Sequence, residues 1–102
     1  MRRYGRGRGR IPIHYARRDQ NEESIVRMLL EVGASVLEIN SPGAPDILVG
    51  YKGRNWLMEV KTQKGKVRKN QQDWHEHWRG APVYVVRSAE DALRVLGFTV
   101  YG

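Results

Sequence analysis

The chain has 102 residues, of which 18 are Lys or Arg and 11 are Asp or Glu, so its formal net charge is +7 at pH 7. A chain of this length predicts one domain with a single modest core. The sequence contains no cysteine, which excludes a disulfide framework, a thiol nucleophile and any metal site built on thiolates.

The apolar segments of the sequence are all short. None approaches the roughly 20 consecutive apolar residues that a membrane helix needs. The basic N-terminus also lacks the apolar segment of a secretory signal. We therefore expect a soluble, intracellular protein that has no membrane partner.

The positive charge is concentrated at the N-terminus. Residues 1–18 hold seven arginines and no acidic residue, whereas residues 19–102 hold 11 basic and 11 acidic side chains. We assign residues 1–18 to a basic, Arg/Gly-rich arm and residues 19–102 to a single domain. Arginines separated by glycine can follow phosphates, so nucleic-acid contacts are expected from the arm. The residues concerned are Arg2, Arg3, Arg6, Arg8 and Arg10. A targeting signal or a solubilising tail is the alternative.

Helical and strand patterns alternate along the rest of the chain. Asp19 and Glu22 have the spacing of a capping box, which predicts a helix from about residue 20 to 32 that ends at Gly33. The further predicted elements are a strand at 35–39, a loop at 40–45, a hairpin of 46–51 and 56–61, a helix at 70–79 capped by Gly80, a strand at 82–87 and a short helix that begins after Ser88 and ends at Leu96. The order α-β-β-β-α-β-α predicts an α/β fold with a small mixed sheet of about four strands flanked by helices.

The predicted hairpin brings three charged side chains together. A two-residue turn at Gly53-Arg54, or a four-residue loop at 52–55, places Asp46 opposite Lys61. Alternation along a strand puts Glu59 and Lys61 on one face, and cross-strand partners share that face. The alternative is a solvent-exposed ion pair of little energetic worth.

Two further polar residues interrupt apolar helix faces. Glu22 lies on the sheet-facing side of the first helix, although it could serve only as the capping partner of Asp19. Gln71 heads a face that continues with Trp74 and Trp78, although it could simply bond to backbone. Together, carboxylates and an amide that face the interior predict an oxygen-lined Mg²⁺ or Mn²⁺ site.

Three weaker signals accompany this cluster. His75 and His77 point to different sides of a helix, which favours surface histidines over a shared metal site. The spacing of Trp74 and Trp78 favours a core role over base stacking. A basic loop follows the hairpin directly, and its position favours phosphate contacts over a merely solvated loop. Its residues are Lys64, Lys66, Arg68 and Lys69.

The spacing of Pro45-Asp46 and Glu59-Val60-Lys61 resembles the signature of the PD-(D/E)XK nuclease superfamily. The wider context resembles its VRR-NUC branch, especially the small stand-alone members of phage type. That context consists of Asn21-Glu22 with Ile25-Val26 and Gly33, the approach Gly43-x-Pro45-Asp46, and Gln71-x-x-Trp74 followed by Gly80-x-x-Val83. The resemblance covers about residues 19–95 and leaves out the arm.

The resemblance implies a restriction-endonuclease-like core and a metal-dependent nuclease that hydrolyses DNA phosphodiester bonds. Asp46 and Glu59 would be metal ligands, Lys61 would contact the nucleophilic water or the scissile phosphate, Glu22 would be a further acidic ligand, and Gln71 would support the same site. The backbone carbonyl of Val60 is a candidate extra ligand.

The resemblance to this branch also implies a homodimer that cuts branched DNA such as four-way (Holliday) junctions. We expect it to act in the cytoplasm of a bacterial or phage-infected cell and to need no organic cofactor. A non-catalytic nucleic-acid-binding module that relies on the arm is the first alternative. A small basic RNA-associated protein is the second.

Overall fold

A computed structural model gives the structure of the protein and describes residues 2–4 and 20–101. The elements in chain order are β1 (Arg2–Tyr4), α1 (Gln20–Glu31), β2 (Ser35–Glu38), β3 (Ile47–Tyr51), β4 (Arg54–Val60), α2 (Lys69–His77), β5 (Val83–Val86) and α3 (Ala89–Leu96). All seven elements that the sequence predicts after residue 19 are present. The helices in this part of the chain lack the length and the apolar character that a membrane crossing requires.

The strands form one mixed sheet in the order β1-β2-β3-β4-β5. Neighbouring strands are antiparallel except for β4 and β5, which are parallel. Parallel neighbours need a crossover connection, and here the crossover contains α2. The predicted fold class, a small mixed sheet flanked by helices, is confirmed.

The strand β1 adds a fifth member to the predicted four. Its residues were assigned to the basic arm, but they pair with β2 through Tyr4 opposite Val36 and Arg2 opposite Glu38. A short stretch rich in arginine and glycine carries no strand pattern, so periodicity gives no sign of this edge strand. The other predicted features of the N-terminal segment, including Arg6, Arg8, Arg10 and Asp19, lie outside the described residues.

The predicted hairpin register is wrong by two residues. Tyr51 pairs with Arg54, so the turn is Lys52-Gly53 and not Gly53-Arg54. Lys52 has φ 50° and Gly53 has φ 78°, and positive φ at both central residues defines the type I′ turn that suits the twist of a hairpin. Because side chains alternate with a period of two, a shift of two residues keeps every side chain on its predicted face.

The core lies between one face of the sheet and the helices α1 and α3. Helix α1 packs against β2 and α3, and α3 packs against β5. The apolar face of α1 supplies Ile25, Val26 and Leu29, all fully buried. The strands and α3 complete the core with Val36, Ile47, Val49, Trp56, Met58, Val60, Val86 and Ala92. Gly33 ends α1 with φ 97°, as predicted for a glycine at that position.

Helix α2 is separate from this core. None of its residues, Lys69–His77, is buried, and Trp78 beyond its end is 46% exposed. The predicted buried tryptophan face is therefore wrong. Trp74 and Trp78 instead stack on each other with ring centroids 4.8 Å apart. The helix also ends earlier than predicted, because Trp78 has an extended backbone, so Gly80 is not its cap.

Candidate active site

The end of β4 supplies Glu59 and Lys61 to a polar cluster. Glu59 is a member of the strand, and its side chain is only 1% exposed. Lys61 follows two residues later and therefore lies on the same face. Its Nζ is 3.5 Å from Glu59 Oε2, so the two largely buried side chains lie close enough to form an ion pair whenever Glu59 is ionised. The solvent-exposed pair that an edge hairpin would give is not what the structure shows.

Asp46 reaches this cluster from the residue before β3. Its backbone N–H donates to the carbonyl of Met58 at 3.1 Å. Its carboxylate Oδ2 accepts a hydrogen bond from the backbone N–H of Val60 at 2.7 Å. The observed register therefore continues to Asp46 opposite Glu59, where the predicted register had Asp46 opposite Lys61. The correction brings the two acids closer together in the sheet.

Gln71 on α2 joins the acid to the lysine. Its Nε2 donates to Glu59 Oε2 at 3.0 Å, and its Oε1 accepts from Lys61 Nζ at 2.9 Å. The same oxygen accepts from the backbone N–H of Arg68 at 2.9 Å, which ties the amide to the start of α2. The sequence left open whether Gln71 contacts the charged cluster or the backbone, and in the structure it contacts both.

His75 is a member of the cluster that the sequence analysis assigned to the surface. Its side chain is 16% exposed, and its Nε2 lies 3.7 Å from Glu59 Oε1. Neither atom has a hydrogen-bond partner among the described residues. The sequence contained one indication that His75 belongs to the cluster: it lies four residues after Gln71, and residues four apart share one face of a helix. His77 is exposed as predicted, and its Nδ1 lies 2.7 Å from the backbone oxygen of Asp73.

Burial is the largest cause of the two shifted pKa values in the cluster. The pKa of Glu59 is raised to about 8. Burial is the largest cause, followed by the charge of Asp46 and a hydrogen bond with its side chain, and Lys61 opposes the rise. Burial also lowers the pKa of His75, as does the positive charge of Lys61, against the opposing charge of Asp46. A carboxyl group with such a pKa retains its proton at neutral pH when no cation replaces it.

The first turn of α1 packs against the ends of β4 and β5. The Asn21 side chain donates to the carbonyl of Lys61 at 2.8 Å and to that of Arg87 at 3.2 Å. Glu22, the next residue, is 3% exposed. Asn21 therefore ties the first turn of α1, which also contains Glu22, to the residues that follow β4 and β5. The capping interaction proposed with Asp19 involves a residue outside the described range.

The basic loop after β4 is exposed and is held in place by Arg87. Arg87 Nη1 donates to the carbonyls of Thr62 and Gly65, both at 2.6 Å. The four basic side chains of the predicted phosphate-binding loop, Lys64, Lys66, Arg68 and Lys69, are all exposed. Lys69 is paired with Asp73 at 3.1 Å. The loop therefore presents positive charge beside the acidic cluster.

The donor atoms of the cluster fit a divalent cation, although no three His, Asp or Glu side chains form a ready metal-binding group in the described part of the chain. Glu59 Oε1 is buried without a hydrogen-bond partner there. Asp46 and Glu59 are also close enough for the charge and hydrogen bond of one to raise the pKa of the other. Glu59 is buried and Asp46 is partly buried. When both carboxyl groups are ionised they repel each other more than the single Lys61 offsets, so a further positive charge would stabilise them, and their oxygen donors suit Mg²⁺ and Mn²⁺.

A separate shallow cavity of about 150 Å³ lies on the sheet. Its lining residues are Ser35, Leu37, Leu48, Gly50 and Asn55. This lining contains none of the predicted site residues. The acidic cluster at the end of β4 is therefore the better candidate for the chemistry.

Comparison with known structures links this arrangement to one kind of domain. A solved structure described as a VRR_NUC domain matches the chain with a TM-score of 0.64 and 28% sequence identity. The match covers 76% of this chain and 90% of that chain. No protein-family model and no curated protein matches the chain. The likeness thus extends over about three quarters of this chain.

Proposed function

We propose that the chain is a metal-dependent endonuclease acting on DNA. The proposal starts from its membership of the VRR-NUC family of nuclease domains. The observation that carries the proposal is the buried Glu59 with Asp46, Lys61 and Gln71 around it. A protein that only bound DNA would gain nothing from buried carboxylates, because they repel phosphate. This argues against the non-catalytic alternative.

Asp46 and Glu59 would hold the cation, and the backbone carbonyl of Val60 and the Glu22 carboxylate are the further candidate donors. When bound, a divalent cation neutralises phosphate charge and lowers the pKa of a water molecule enough to make it a nucleophile. The protein contributes a fixed geometry for the acids. The hydrogen bond from Val60 N–H orients Asp46, and the bond from Gln71 orients Glu59.

Lys61 has a separate task in the proposed reaction. Its ammonium group lies between Glu59 and Gln71, at 3.5 Å and 2.9 Å. There it can donate to a phosphate oxygen or to the attacking water and stabilise the negative charge that develops during hydrolysis. Gln71 acts on the substrate only through Glu59 and Lys61, and we therefore regard it as a positioning residue.

The basic loop and the arm would supply affinity for the DNA backbone. Lys64, Lys66 and Arg68 are exposed immediately after the strand that carries Glu59. Contacts of this kind are independent of base sequence and depend on salt. Such contacts suit an enzyme that recognises its DNA by shape and not by base sequence. We therefore extend the proposal to branched substrates such as four-way junctions. We place the activity in the cytoplasm, where such DNA occurs.

Cutting both strands of a junction favours a homodimer, and the edge strand β5 offers a surface for it. Tyr84 and Val85 are 37% and 38% exposed on this strand. An apolar edge strand with free backbone groups tends to associate unless it is protected. Sedimentation of the wild type beside Val85→Lys tests this: a dimer that becomes a monomer in the variant supports the surface, and a monomeric wild type contradicts it.

The function is tested by cleavage of supercoiled plasmid, linear duplex and a four-way junction in Mg²⁺ or Mn²⁺. The wild type is compared with Lys61→Ala, Asp46→Asn and the control Lys52→Ala, which removes an exposed lysine at the hairpin turn. We expect cleavage by the wild type and the control only. If the wild type binds these substrates but leaves all of them intact, the non-catalytic alternative is correct.

A further inference from the structure

His75 is the one side chain of the acidic cluster that the proposed reaction leaves unused. Its Nε2 lies 3.7 Å from Glu59 Oε1. Both atoms are buried, and neither has a hydrogen-bond partner in the described part of the chain. Burying unpaired polar atoms costs free energy. Two such atoms side by side therefore require an explanation.

The separation of these atoms points to a third atom between them. A distance of 3.7 Å is too long for a hydrogen bond. It is also short for a bridging water, whose two hydrogen bonds of about 2.8 Å would meet at a sharp angle. Two ligands bonded to one metal ion at about 2.1 Å lie about 3.0 Å apart when adjacent at a right angle and about 4.2 Å apart when opposite. The observed 3.7 Å lies between these values, so small side-chain movements would let both atoms bind one cation.

We propose that His75 is a nitrogen ligand of the cation held by Asp46 and Glu59. The inference rests on the proposed metal dependence and adds to it a preference among metals. Mg²⁺ takes oxygen ligands almost exclusively, whereas first-row transition metals accept imidazole nitrogen. An imidazole in the ligand set therefore shifts the site towards Mn²⁺ and away from Mg²⁺.

The position of His75 on α2 supports this assignment. Gln71 and His75 lie one turn apart on the same helix face, and both contact Glu59, Gln71 through Oε2 and His75 through Oε1. Gln71 thereby holds one oxygen of the carboxylate and leaves the other directed at the imidazole. Helix α2 contributes no buried residue to the core, so polar contacts such as these help to hold it against the sheet. A cation bound between Glu59 and His75 would therefore also fasten α2 to the sheet.

The experiment measures binding of Mn²⁺ and Mg²⁺ directly, without DNA. Wild type, His75→Ala, His75→Gln and the control His77→Ala are titrated by calorimetry, and the Mn²⁺ complexes are examined by pulsed electron paramagnetic resonance for coupling to a ¹⁴N nucleus. Circular dichroism confirms that each variant is folded. His77 is a matched control because it lies on the same helix, is exposed and is directed at Asp73.

We expect ¹⁴N coupling in the wild type and in His77→Ala, and its loss in both His75 variants. The Mn²⁺ affinity should fall at least about tenfold in those variants while the Mg²⁺ affinity changes much less. Equal losses for the two metals, or a wild type without ¹⁴N coupling, would overturn the assignment of His75 and leave metal dependence standing. Absence of Mn²⁺ and Mg²⁺ binding by the wild type would instead overturn the proposed function itself.

Discussion

Gln71 and Glu59 lie on different elements, 12 residues apart in the chain, and are joined by a 3.0 Å hydrogen bond from Gln71 Nε2 to Glu59 Oε2. The same amide accepts from Lys61 Nζ at 2.9 Å. One side chain thus sets the position of both the proposed metal ligand and the proposed charge-stabilising group.

We expect Gln71→Ala to lower the cleavage rate by about 10- to 100-fold, the usual effect of losing a group that orients metal ligands. The half-saturating Mn²⁺ concentration should rise as well, because Glu59 loses its orientation. Gln72→Ala is the matched control, since Gln72 is exposed and its side chain donates to the Val67 carbonyl at 3.2 Å. Single-turnover cleavage over a range of Mn²⁺ concentrations checks this. Equal rates for the two variants would contradict a positioning role.

The raised pKa of Glu59 makes the stability of the metal-free protein depend on pH. A carboxyl group whose pKa is higher in the folded state stabilises the fold below its ordinary pKa and loses that contribution as the pH rises through the folded value, here about 8. His75, whose pKa is lowered, acts in the opposite direction below its own ordinary value of about 6.5. The loss of stability should therefore be clearest between about pH 6.5 and 8.

Urea denaturation in EDTA across this pH range measures the effect. We expect the free energy of unfolding of the wild type to fall as the pH rises. The free energy of unfolding of Glu59→Gln should fall much less, because the glutamine side chain does not ionise. Glu76→Gln, on an exposed position of α2, should keep the wild-type slope. A wild type with a flat profile, or one that gains stability, would show that Glu59 is ionised in the metal-free fold.

Arg87 organises the basic loop, and its replacement should weaken DNA binding. The guanidinium donates to the carbonyls of Thr62 and Gly65, which flank Lys64. A lysine keeps the charge but lacks the planar group that reaches both carbonyls. We expect Arg87→Lys to raise the Kd for a labelled duplex roughly fivefold, equivalent to about 1 kcal/mol.

Fluorescence anisotropy at fixed salt gives this Kd. Arg94→Lys is the control because Arg94 is exposed on α3 and pairs with Asp91 at 3.3 Å. If the two variants bind DNA equally well, the loop does not depend on Arg87 for its function.

Much of the fold follows from periodicity alone. The apolar spacing in α1 and the alternation in β3 and β4 are strong signals, and Ser88 caps α3 as predicted by accepting from Asp91 N–H at 3.1 Å. The cluster of Asp46, Glu59 and Lys61 was found despite a wrong register, because an error of two residues preserves the facing of every side chain. The turn itself was misplaced because Lys52 adopts a positive φ that its residue type does not suggest.

The sequence was less informative about α2. Helical spacing groups Trp74 with Trp78 and Gln71 with His75, but it does not say which face meets the sheet. In the structure the polar face does, because Glu59 and Lys61 attract it, and the tryptophans stack outside. The assumption that large aromatic residues are buried therefore gave the wrong face, and it hid the contact between His75 and Glu59.

The arm should govern how DNA binding depends on salt. Arg2 and Arg3 belong to the edge strand β1, so deleting residues 1–10 would remove a strand together with the charge. The triple variant of Arg6, Arg8 and Arg10 to Gln leaves that strand in place. Each lost phosphate contact reduces the slope of log Kobs against log salt by about 0.9, so we expect a slope flatter by up to about 2.7.

A second triple variant separates the arm from net charge. Arg27, Lys52 and Arg94 are exposed residues of the body, and changing all three to Gln removes the same formal charge. Salt titrations of duplex binding should then show a flatter slope in the arm variant only. We expect the Mn²⁺ affinity to stay unchanged in both variants, because the substitutions leave every proposed metal ligand in place. If both variants flatten the slope equally, the protein's overall charge accounts for the effect. A contact between the arm and phosphate predicts the difference between them.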